Sequence, residues 1–86
     1  MKETLQKLEE IIEERGAVYG DYRVTFKQTA DAMSMVTAKE FTELDVITFL
    51  IITKLCRLGE TPNHEDSWID IAGYAALAAS LCSEPR

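Results

Sequence analysis

The chain has 86 residues, with 15 acidic against 9 basic side chains and a formal net charge of −6. That balance excludes a general binder of nucleic-acid polymers, which needs a basic patch with aromatic neighbours, but it leaves room for a small phosphorylated ligand held by a few focused cations. The longest apolar run, Val46 to Ile52, is far too short for a bilayer span, and the charged first segment carries no secretory signal; no membrane partner is expected, and the expected location is the cytoplasm.

Residues 1–86 read as a single domain, near the size at which one core is only marginally stabilising. Disulfides do not supply the difference, because Cys56 and Cys82 fall inside apolar helical runs and form no spaced framework. They are expected as buried free thiols. Association of identical chains is the expected supplement.

In chain order, the first helix covers residues 2 to about 15, with Leu5, Leu8, Ile11 and Ile12 at helical spacing. Its run Glu9-Glu10-Ile11-Ile12-Glu13 matches the EExxE spelling of a magnesium-binding helix, although acids near a helix start also complement the dipole. Gly16 is expected to end this helix. Gly20 then supplies a turn, and Asp21 a cap for the next helix. Tyr19 and Tyr22 bracket that turn, and Tyr19 is the candidate ring for stacking on a base.

The second helix runs from Tyr22 to about Val36, with Arg23 and Lys27 on its polar side. Thr42 with Asp45 three residues on spells a capping box for a third helix, Glu43 to about Leu58. A β-branched run inside it would also suit a strand, but no second strand is present to pair with it. Lys54 and Arg57 lie near its end, where cations complement the helix dipole.

Gly59 to Asn63 then turns the chain back into a fourth helix, from about His64 to Cys82. Asn63 is its expected cap, answered by Asp66, which with Asp70 shares one face leading on to Gly73 and Tyr74. From Ile71 onward this helix has hardly any polar face, and the third helix is nearly as apolar. Two such helices exceed what one short chain can cover, so a homo-oligomer through the C-terminal helices is expected. An antiparallel return around Pro62 also gathers Lys54, Arg57, His64, Asp66 and Asp70 near one turn. Such a cluster suits either ligand binding or an ion-pair network joining two helices.

The segments Tyr19-Gly20-Asp21, Phe26 with Ala30, Asp45-Val46, Lys54-Leu55-Cys56-Arg57-Leu58 and His64 through Ala75 resemble a family of small phage-encoded helical proteins. That family is in turn similar to the nucleotide-modification-associated and MazG-like all-α nucleoside triphosphate pyrophosphatases. The resemblance spans about Arg15 to Leu81, and its final block is its most specific part. It implies an all-α, four-helix, MazG-like domain with a nucleotide-related role in the host bacterial cytoplasm.

Catalysis in the MazG-like enzymes needs an EExxE helix and an ExxD helix that together hold magnesium. This chain departs from that pattern, since Asp66 and Asp70 are four apart, Pro62 stands where a glutamate tends to lie, and Thr53 replaces a frequent aspartate. The missing acids point to binding without turnover and without a cofactor. The expected function is capture of a phosphorylated nucleotide, such as a cyclic nucleotide or an ADP-ribose-derived immune signal, as phage sponge proteins do. Its expected ligand-binding residues are Tyr19, Lys54, Arg57, His64, Asp66, Asp70 and Tyr74.

Two alternatives stand beside it. One is a magnesium-dependent pyrophosphohydrolase with Glu9, Glu10, Glu13, Asp66 and Asp70 as metal ligands. The other is a module whose exposed apolar face binds a host protein. Covalent catalysis is not expected, because neither cysteine nor the one histidine is arranged as an activated nucleophile.

Overall fold

The computed structural model describes residues 1–19 and 22–83, with side chains for 1–14 and 22–83. It contains four helices: α1 (Lys2–Tyr19), α2 (Tyr22–Thr37), α3 (Glu43–Glu60) and α4 (Glu65–Ser83). No strand occurs among the described residues, so the apolar run in α3 is helical. None of the helices is long and apolar enough to cross a membrane.

The start of α3 is fixed as its letters imply. The Thr42 hydroxyl accepts from the Asp45 backbone N–H while the Asp45 carboxylate accepts from the Thr42 N–H, satisfying two donors that a helix start otherwise leaves open. Before it, the connector from α2 is held by Ser34, whose hydroxyl donates to the Ala30 carbonyl at 2.8 Å and accepts from the Phe41 N–H at 2.9 Å. Phe41 thereby lies against Phe49 of α3, ring centroids 5.9 Å apart.

Three boundaries differ from the sequence expectation, the first being that α3 continues through Gly59 and Glu60 to its cap at Thr61. Gly16 does not end α1, which runs on to Tyr19; one glycine inside a helix costs only about 1 kcal/mol. Asn63 does not cap α4. His64 precedes the first helical residue instead, and its ring Nδ1 lies 2.7 Å from the Ser67 hydroxyl. The expected turn at Gly20 and cap at Asp21 lie outside the described residues.

The helices pack in an order that differs from chain order. α3 and α4 form the most extensive contact, α2 lies on α3, and α1 lies on α4. Among the described residues the buried apolar side chains are Ala30 of α2, Val46, Ile47 and Leu58 of α3, and Ile69 of α4. The core they form is small, and the opposite faces of α3 and α4 stay open. Cys56 and Cys82 lie on those open faces, so the expectation of buried thiols is corrected: both are exposed. An apolar helix surface all round does not tell which sector the chain itself covers.

Where α1 crosses α4, Gly73 is buried and a methyl group built on it would meet Leu8 Cδ1 at 3.8 Å and Ile12 Cγ1 at 3.9 Å. Those are ordinary contacts, so alanine fits. At the end of α2, Ala38 has φ 56°, a left-handed conformation in which glycine is free of strain and alanine is not. Gly73→Ala and Ala38→Gly are therefore both expected to stabilise, by about 0.5–1 kcal/mol each. Thermal melting of the two single variants checks this, with a rise of a few degrees expected for each.

Candidate functional site

The end of α3, the turn from Thr61 to His64 and the first turns of α4 carry the charged residues that the sequence singles out. The turn is tightly made. Thr61 N–H donates to the Arg57 carbonyl at 3.0 Å, closing α3, and His64 N–H donates to the Thr61 carbonyl at 3.1 Å. The Trp68 indole N–H then reaches back to the Pro62 carbonyl at 2.9 Å, so the first turn of α4 holds the loop that precedes it.

This return sets Lys54 of α3 beside Asp70 of α4, with Nζ 3.0 Å from Oδ2. The side chains are 34% and 12% exposed, so the pair is screened by water much less than a surface pair. Two other ion pairs, Lys27–Asp31 at 3.5 Å and Lys7–Glu65 at 3.3 Å, lie out in solvent. A double-mutant cycle on Lys54 and Asp70 is expected to give a coupling of about 1–2 kcal/mol, against less than about 0.5 kcal/mol for Lys27 and Asp31. Denaturant unfolding of the variants measures both.

His64 is half-buried, and its ring meets Ser67, which is 1% exposed and is the one buried polar residue among the described residues. Ser67 escapes the sequence reading; only its place three residues after a histidine at a helix start hints at the contact. Arg57 and Asp66 both have exposed side chains, and no ion pair joins them. Tyr74 is half-buried, one turn beyond Asp70. The side chain of Tyr19 lies outside the described residues. Of the expected ligand set, the fold thus joins Lys54 to Asp70 and places His64 in the same hairpin, while Arg57 and Asp66 face solvent.

The acids of the alternative metal reading are not gathered. Glu9, Glu10 and Glu13 are exposed on α1, and among the described residues no group of three or more His, Cys, Asp or Glu side chains could hold a metal ion. The arrangement offers a cation at each of two levels of α3, one already paired, and a histidine whose Nδ1 is engaged.

A family model described as a domain of unknown function, DUF6378, matches residues 3–82. The chain is 38% identical over 72 residues to the Gene 55 protein of Mycobacterium phage D29, an alignment covering 84% of this chain and 48% of that protein. It is 36% identical over 79 residues to the Gene 55 protein of Mycobacterium phage L5, covering 90% of this chain and 51% of that protein. The chain therefore spans about half the length of these curated relatives. No solved structure matches.

Proposed function

Given that the chain belongs to the DUF6378 family, with relatives among phage proteins, we propose that it captures a phosphorylated nucleotide without turning it over. The observation that carries this reading is the Lys54–Asp70 pair at 3.0 Å, because it places the last turns of α3 beside the first turns of α4. Arg57 lies one turn beyond Lys54, open to solvent, and provides a planar fork for phosphate oxygens. His64 offers a second donor, Asp70 holds Lys54 in place, and Asp66, Tyr74 and Tyr19 complete the proposed ligand set. A MazG-like ancestry fits a nucleotide ligand, and the absent ExxD spelling fits a lost metal cage.

A cyclic nucleotide or an ADP-ribose-derived signal in the host bacterial cytoplasm is the class of ligand proposed, and the role is counter-defence by sequestration. Incubating the protein with linear, cyclic and ADP-ribose nucleotides, with and without Mg²⁺, tests this. The expected result is one retained nucleotide, released unchanged on heating. Release of pyrophosphate in Mg²⁺ would establish the hydrolase instead, and retention of none would refute capture. The reading as a host-protein-binding module is favoured by a separate observation, the open apolar surface of α3 and α4.

A further inference from the structure

We infer that the outer faces of α3 and α4 are the contact surface for a second copy of this chain, and that the folded unit is a two-fold dimer. The inference does not depend on nucleotide capture. On α3, Phe49, Ile52 and Leu55 are 41%, 47% and 49% exposed, and the exposed Cys56 lies among them. On α4, Trp68 is 53% exposed and is followed by exposed Ala72, Ala75, Ala79 and Cys82 at alternating spacings of four and three residues. That spacing is the seam of a helix that packs lengthwise on another helix. No charged residue occurs in α3 from Val46 to Thr53, nor in α4 after Asp70, and depletion of charge marks the centre of an interface.

Size says how much must be covered. The chain exposes 6511 Å², whereas a compact monomer of 9.7 kDa exposes about 5,100 Å². Its radius of gyration is 14.1 Å, against about 12 Å for a compact domain of this length. The surplus is roughly 1,400 Å² per chain, so two chains that hid it would bury roughly 2,800 Å², inside the range of obligate homodimers.

The occupant follows from the need. Among the described residues five apolar side chains are buried, a small core for a folded unit, and a cover over these faces adds the burial that this core lacks. A second copy is always available, and a two-fold axis sets each apolar face against its own equivalent. The alanines of α4 permit close approach of two helix backbones there. Trp68, its N–H already bound to Pro62, presents only ring surface.

Light scattering on the eluting wild-type chain at micromolar concentration is expected to give twice 9.7 kDa, and the melting midpoint is expected to rise with concentration. Ala75→Glu and Ile52→Glu are expected to remove the dimer, whether the separated chains stay folded or not. Met35→Glu, at a position 80% exposed on α2, is expected to leave it intact. A folded wild-type chain of 9.7 kDa whose midpoint ignores concentration would overturn the proposal and leave the faces to a foreign partner. Unchanged mass in both outer-face variants would overturn it equally.

Discussion

Ile47→Ala is expected to lower stability by about 3 kcal/mol and the melting midpoint by about 15 °C or more. Ile47 is 1% exposed and is the largest fully buried apolar side chain among the described residues. Removing three of its carbons loses their transfer free energy and leaves a cavity into which the surroundings relax only partly. A domain of this length holds only about 4–13 kcal/mol in total, so one truncation takes a large share. Val36→Ala, at a position 83% exposed, is expected to shift stability by no more than about 0.5 kcal/mol. Circular dichroism melts of the two variants at equal concentration make the comparison.

Arg57→Glu is expected to weaken nucleotide retention by at least about 100-fold while the fold survives. A guanidinium that grips phosphate contributes charge-assisted hydrogen bonds, and the reversed charge adds repulsion to their loss. The structural cost is small because Arg57 is exposed and no described residue pairs with it; reversing a charge at a helix C-terminus costs about 1 kcal/mol or less. Lys27→Glu serves as the control, since Lys27 already neighbours Asp31 at 3.5 Å on the exposed face of α2. Equilibrium dialysis with whichever nucleotide the wild type retains reads the difference. Equal retention by the Arg57 variant and the wild type would remove Arg57 from the site.

The helices were legible where a local chemical signal coincided with the apolar period. Thr42 and Asp45 announce the start of α3, and the structure forms both hydrogen bonds of that capping box. The Lys54–Asp70 contact was legible too, because a short turn after a long helix leaves an antiparallel return as its simplest path. Arg57 and Asp66 were not assignable in the same way. A residue's place on a helix fixes its direction only once the rotation of that helix against its neighbour is known, and sequence spacing does not give that rotation. The cap of α4 was misplaced for a related reason: Asn63 has the better capping chemistry, but the turn runs one residue longer and His64 meets Ser67. Burial of the cysteines failed because both helices are apolar over most of their surface, so the period that normally marks the inward sector carries little information there.

The protein's single tryptophan occupies a useful place. Trp68 ties the first turn of α4 to the carbonyl of Pro62 while leaving about half of its surface, 53%, uncovered. An indole so placed is an intrinsic optical gauge: its emission moves to shorter wavelength when anything dry settles over the start of α4, and changes intensity when the loop at Pro62 lets go. Both events can be followed in unlabelled material by fluorescence alone.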